Sequence, residues 1–300
     1  MGMLDKKVVI VTGGGRGIGR AISLAMGEAG ARVVVNDIGT SASGEGADAA
    51  PAQSVVDEIK AKGGEAVAST DSITTWDKAN RIVEQAVDTY GRVDGVVNNA
   101  GILRDVIFHK MSESDWDDVL LVHLKGSFNV SRAAATHFRN QNGGFFIHMT
   151  STTGLIGNYG QANYGAAKMG IVGLSKSIAL DMKRFNVRSN CISPAAATRM
   201  TDTIPDDQVE RKAKIAVLKP EKIAPLAVAL GSDAAADVTG QIFFVRRNEI
   251  FLMSQARPIR EMHTSDGWTP ATVLERVLPA FRPSFYPLDV TFDVFAWEPT

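Results

Sequence analysis

The chain has 300 residues, 45% hydrophobic and 22% charged, the proportions of a folded globular protein with room for a large core. Its 32 basic and 33 acidic side chains leave a net charge of −1, which gives no electrostatic footing for nucleic acid or an acidic membrane surface. A single cysteine, Cys191, excludes an internal disulfide and a multi-cysteine metal site.

The opening "MGMLDKKVVIVTGG" puts charged side chains ahead of a short β-branched run that ends in glycines. It reads as a strand rather than a signal peptide or membrane span, so a cytoplasmic protein is expected. Helical spacing follows in "GIGRAISLAMGEAG", then a second strand in "ARVVVND" and a Gly/Ala/Ser-rich stretch over 39–53 that reads as a surface loop. Next come a helix in "SVVDEIKAKGG", a strand in "EAVAST", a helix in "WDKANRIVEQAVDTYG", and a fourth strand, "VDGVVNNAG", that runs into a polar turn. A long helix is predicted from about Ser114 to Asn140. The strand "GFFIHMTS", a helix around Tyr164, the strand "VRSNCIS" and a last strand near "GQIFFV" complete the alternation. Apolar strands alternating with helices predict a single doubly wound α/β (Rossmann) domain over 1–245, with a seven-stranded parallel sheet.

Two stretches depart from that rhythm. "TRMTDTIPDDQVERK" (198–212) is polar and loop-like, just past a strand's C-terminal end, where open α/β sheets keep their ligands. Residues 246–300 hold six of the eleven prolines and aromatics such as Trp268, Phe285 and Trp297. Thr269 as cap and Pro270 at the first helical position predict one short helix there. So much apolar surface predicts a C-terminal arm packed on the body or on a neighbouring subunit.

The candidate site starts in "VTGGGRGIGR". Gly13, Gly17 and Gly19 lie between a strand and a helix N-terminus, an arrangement that cradles a pyrophosphate, with Arg16 and Ile18 in the same loop. Asp37 ends the second strand, where a carboxylate accepts hydrogen bonds from a ribose diol and repels a 2′-phosphate, favouring NAD. Arg16 pulls the other way, because a guanidinium in the loop suits that phosphate. Asp71 and Ser72, just past the third strand, join the candidate cofactor set, as do Asn99, Ala100 and Gly101 of "NNAG". Tyr164 and Lys168 stand one helical turn apart on one face, so the ammonium favours a phenolate on a side chain whose ordinary pKa is ~10.

The glycine pattern, "NNAG", Ser151 and Tyr164-x-x-x-Lys168 together resemble the short-chain dehydrogenase/reductase family over residues 5–245. The stretches "VVVND", "NNAGILRD", "VHLKGSF" and "GNYGQANYGAAKMG" are similar to its (3R)-hydroxyacyl-CoA dehydrogenases. The resemblance implies hydride transfer between NAD and a secondary alcohol. Tyr164 would exchange the proton, Ser151 position the reacting oxygen, and Lys168 hold the nicotinamide ribose. Thr198 would contact the carboxamide, and the Met200 and Ile204 region would close over an acyl chain or steroid nucleus. It further implies a homodimer or homotetramer built on the long helix and the Tyr164 helix. Two positions depart from the pattern: His123 stands where the family usually has a relay asparagine, and Pro194-Ala195 replaces Pro-Gly. His123 is either a proton relay or a histidine satisfied inside a helix interface. His109, His137, His148 and His263 lack metal-ligand spacing and read as structural. An NADPH-dependent 3-oxoacyl reductase and a non-catalytic dinucleotide-binding scaffold are the alternatives.

Overall fold

All five residues of β1 (Val8–Thr12) are buried, and alternate ones serve opposite layers. Val9 and Val11 join the core beneath α1 (Gly17–Glu28) and α2 (Ala50–Ala61), whereas Val8 and Ile10 join the core beneath α3 (Trp76–Tyr90). A strand covered on both faces must be apolar throughout, which is why the β-branched run forms the centre of the sheet. The computed structural model describes residues 2–41, 43–46, 48–197 and 217–299. Among them, no helix is long and apolar enough to cross a membrane.

The other strands are β2 (Arg32–Asn36), β3 (Glu65–Ser69), β4 (Gly95–Asn98), β5 (Gly144–Met149), β6 (Val187–Ala195), β7 (Ile242–Arg246) and β8 (Glu249–Leu252). They lie in the order β3-β2-β1-β4-β5-β6-β7-β8. The seven expected strands are parallel, and the order reverses between β1 and β4, which opens a crevice at their C-terminal ends. The sheet exceeds the expected seven strands because β8 turns back antiparallel on β7, with Arg246 opposite Glu249. The sequence hid this hairpin because its turn holds no glycine; Arg247 itself takes the left-handed conformation, at φ 54°.

Two further differences concern element ends. The loop expected over 39–53 stops at Ala49, because Pro51 starts α2 and is buried with Ala52. The long helix starts at Glu113, where Ser112 and Asp115 cap each other's backbone reciprocally. It then runs as α4 (Glu113–Leu120), a π-helical turn (Leu121–Lys125) and α5 (Gly126–Gln141). After β5 come the short α6 (Thr152–Leu155), then α7 (Ala162–Met182), and α8 (Ala224–Gly231) before β7.

Beyond β8 the arm is largely exposed, with a helical stretch over 270–281 begun by the Thr269 cap and Pro270. It returns to the sheet edge, where Phe295 packs among Phe244, Phe251 and Trp297. Arg246 donates to the carbonyls of Phe295 and Trp297 at 3.3 and 3.1 Å. Phe295 is 8% exposed, so Phe295→Ala should cost about 3–5 kcal/mol, read as a lower urea midpoint at unchanged slope.

Candidate active site

The crevice holds a cavity of about 910 Å³. Its floor is the turn between β1 and α1, lined by Gly13, Gly17 and Ile18. A β-carbon on Gly19 would stand 2.0 Å from the Gly13 carbonyl oxygen, so only glycine lets the helix approach the strand so closely. Arg16 occupies the cap position of α1 but makes no side-chain capping bond. The first-turn N–H groups therefore lack a side-chain acceptor, an arrangement that fits a pyrophosphate. The "NNAG" turn is bolted to this loop. Thr12 Oγ1 accepts from the N–H groups of Asn99 and Ala100 at 3.1 and 3.2 Å, and Asn99 Nδ2 donates to the Thr12 and Gly13 carbonyls at 3.0 Å each.

At the end of β2, Asp37 borders the cavity and accepts from the Gly15 N–H at 2.9 Å and the Gly39 N–H at 2.7 Å. Arg16 turns onto the following loop, donating to the Thr40 carbonyl at 3.3 Å and standing 3.8 Å from the Asp48 carboxylate. Asp71 and Ser72 border the same cavity, but the Asp71 carboxylate is paired with Arg81 at 2.6 Å. Ser72 is hydrogen-bonded to Thr74 at 2.8 Å. Thr198, Met200 and Ile204 lie outside the described residues.

Ser151 follows β5, and its Oγ caps α6 by accepting from the Thr153 N–H at 3.1 Å. The same hydroxyl stands near enough to the Tyr164 phenol to favour its ionised form. Lys168 lies one turn further along α7, only 4% exposed, with Nζ donating to the Met149 carbonyl at 2.6 Å. That nitrogen is 5.4 Å from the centre of the Tyr164 ring. The three side chains expected to share the chemistry thus meet at one wall of the cavity.

Burial is the largest influence on the electrostatics of both Tyr164 and Lys168. Burial pushes the Tyr164 phenol up to about 12; the Ser151 hydroxyl opposes this and the Asp105 charge adds to it. Burial also pushes Lys168 down to about 7, against a small opposing effect of Cys191. Burial, rather than the nearby ammonium, is the largest influence on the phenol in this state. In this state Tyr164 is a proton donor. Working as a base requires more positive charge in the crevice than Lys168 supplies alone.

His123 lies in the π-helical turn, with its ring edge-on to Tyr164 at 5.2 Å. Its Nε2 is 2.8 Å from the Ile102 carbonyl oxygen, and its Nδ1 has no partner among the described residues. Burial, then the Lys168 charge, holds the imidazole well below its usual value, so it is neutral. A β-carbon on Gly101 would meet His123 Cε1 at 2.1 Å, so the glycine of "NNAG" makes room for this ring. Both roles left open for His123 therefore begin from an uncharged side chain tied to the Ile102 backbone.

Asp105, Gln161 and Phe292 are among the lining residues that escaped the sequence reading. Asp105 stands in "NNAGILRD", but nothing in that pattern tells which way its side chain turns. Phe292 arrives from the arm, where the Thr291 N–H donates to the Gly157 carbonyl at 3.3 Å, a contact that no local pattern encodes.

A family model described as short chain dehydrogenase matches residues 7–209. The chain belongs to that family. Its members bind a nicotinamide dinucleotide, which accounts for the glycine loop and the uncapped helix N-terminus. Among the relatives is the peroxisomal multifunctional enzyme type 2 of Mus musculus, 49% identical over 223 residues. The match spans 74% of this chain but only 29% of the mouse protein. A hydroxyacyl-CoA dehydrogenase of Mycobacterium tuberculosis is 39% identical over 285 residues, covering 89% of this chain and 86% of that one. The crystal structure of a short chain dehydrogenase from Mycobacterium avium superimposes with a TM-score of 0.83. It is 41% identical, and the match covers 95% of this chain and 98% of that chain.

Proposed function

We propose that the chain is an NAD-dependent dehydrogenase of 3-hydroxyacyl-CoA esters, with the acyl part a fatty chain or one carrying a steroid nucleus. The observation that carries this reading is the convergence of Ser151, Tyr164 and Lys168 on a crevice whose dinucleotide end is bordered by Asp37. The similarity to a hydroxyacyl-CoA dehydrogenase along most of both chains supports the substrate class.

Asp37 would accept from the adenine ribose hydroxyls, the N-terminus of α1 would hold the pyrophosphate, and Lys168 would hold the nicotinamide ribose. Asn99, Ala100 and Thr198 would flank the same ligand. When bound, the oxidised dinucleotide supplies the hydride acceptor and a positive charge. Ser151 donates to the substrate oxygen and fixes its distance from Tyr164. In oxidation the Tyr164 oxygen would take the proton from the hydroxyl oxygen as hydride leaves the carbon that bears that hydroxyl; in reduction Tyr164 would return the proton to the carbonyl oxygen. Arg16 borders the same cavity while held on the Thr40 carbonyl and near the Asp48 carboxylate, so the NAD reading rests on Asp37. Exposed Leu121, Phe128, Met169 and Leu180 along the π-helical turn, α5 and α7 support self-association through these helices.

Steady-state oxidation of 3-hydroxyacyl-CoA esters of increasing length, alongside hydroxysteroids, each with NAD and with NADP, tests the reading. The expected result is acyl-CoA turnover with NAD at least about tenfold more efficient than with NADP, given one like-charge contact at Asp37. Turnover with NADP alone would overturn the role given to Asp37, and turnover of none of the acyl-CoA esters would overturn the substrate class.

A further inference from the structure

Resting on the hydroxyacyl reading, we propose that Asp105 is a charge filter in the substrate end of the crevice, rejecting free 3-hydroxy acids in favour of neutral thioesters. The two substrate classes differ at one place. Two bonds from the reacting carbon, a free acid carries a full negative charge where a thioester carries a neutral carbonyl.

Asp105 is built into that end of the site. Its Oδ2 accepts from Gln161 Nε2 at 2.8 Å. The amide of Gln161 is fixed in turn, because its Oε1 accepts from Thr153 Oγ1 at 3.0 Å and Asn158 Nδ2 at 2.9 Å. The backbone on either side of Asp105 is also held. Asn163 Nδ2 donates to the Arg104 carbonyl at 2.9 Å, and the Val106 N–H donates to the Gly160 carbonyl at 2.9 Å. All of Asp105, Gln161, Thr153, Ser151 and Tyr164 line the one cavity.

Among the described residues, nothing compensates the charge of Asp105. Its neighbour Arg104 turns away to Asp118, 3.6 Å off, and no described cation pairs with Asp105. Gln161 contributes one neutral donor, which orients the carboxylate without cancelling its charge. Asp105 is an exposed residue bordering the crevice; partial desolvation raises its pKa, and it remains close enough to Tyr164 for its charge to oppose the phenolate. A fixed anion bordering a cleft repels a second anion brought beside it more than it would in bulk water, because the protein side of the pair polarises less. Such repulsion gives specificity by penalising the wrong ligand rather than by improving the right one.

The test compares two non-reacting probes of one shape, butyramide and butyrate, binding to the NADH-loaded protein at pH 8. Titration calorimetry or saturation-transfer NMR reads the affinity ratio. The wild-type protein should prefer the amide by at least about tenfold, from one like-charge contact in the cleft. Asp105→Asn, which keeps an acceptor for Gln161, should lower that ratio about tenfold, and Asp105→Glu should retain it. Asp105→Ser gives the same comparison should the asparagine variant fold poorly, and the wild-type ratio alone already tests the idea. Equal affinity of the wild type for both probes, or an unchanged ratio in the neutral variants, overturns the filter. Because the ratio is read without turnover, it stands apart from the substrate panel, whose failure would remove the hydroxyacyl reading instead.

Discussion

Tyr164→Phe should lower turnover by about 10³-fold while leaving NADH binding and the melting temperature nearly unchanged. The replacement removes one oxygen from a residue whose ring is held by its α7 position and by the edge of His123, so the wall keeps its shape. What disappears is the proton path between the substrate oxygen and the protein, worth about 10²–10⁴ in rate when a positioned group supplies it. The neutral phenol is the form favoured here, pushed up to about 12, so losing it removes a donor and not a buried charge. Stability should therefore change by no more than about 1 kcal/mol, the net worth of one neutral hydrogen bond. Turnover by the phenylalanine variant within about tenfold of wild type would show that another group moves the proton. Unaltered biological function with turnover lost would instead favour the scaffold reading.

The sheet and the cofactor end were legible because each rests on a local pattern. β-branched runs of strand length admit few alternatives, and a glycine loop between a strand and a helix states its own geometry. Tyr164 and Lys168 were legible because the helical period alone puts them on one face. What escaped depends on contacts between distant segments or on unusual backbone. The β7–β8 turn is made by Arg247 at φ 54°, a residue carrying no turn signal. The reason for glycine at 101 appears only when the ring of His123, twenty-two residues later, is seen to fill the space of its β-carbon. Nor does Phe292 become part of the crevice until Arg246 and the ring cluster around Phe295 bring the arm back to the sheet. The balance of charge and desolvation at Tyr164 is hidden from the sequence for the same reason. Sequence spacing brings an ammonium to a phenol, but whether attraction or desolvation wins depends on how dry the wall is.

That competition makes Lys168→Met a variant that should lose activity and gain stability together. Turnover should fall by at least about 10²-fold, because the group that stabilises a developing phenolate and holds the ribose is gone. Stability follows from where the amine titrates. In the unfolded chain Lys168 has its ordinary value of 10.5, and burial lowers it to about 7 in the folded protein. Between these values the unfolded state binds a proton that the folded state has released, so wild-type stability rises with pH across this window. Below about pH 7 both states carry the proton, and the folded protein bears the full cost of a buried charge, on the order of 5 kcal/mol. Methionine removes that cost but leaves the Met149 carbonyl without its donor, a loss of about 1–3 kcal/mol. At pH 6 the variant should therefore melt higher than wild type, and by pH 10 the order should reverse. Taking the difference between the two proteins at each pH cancels every group that titrates alike in both. A difference that stays constant from pH 6 to 10 would mean that Lys168 is as well solvated as a surface lysine, and its place beside Tyr164 would need another explanation.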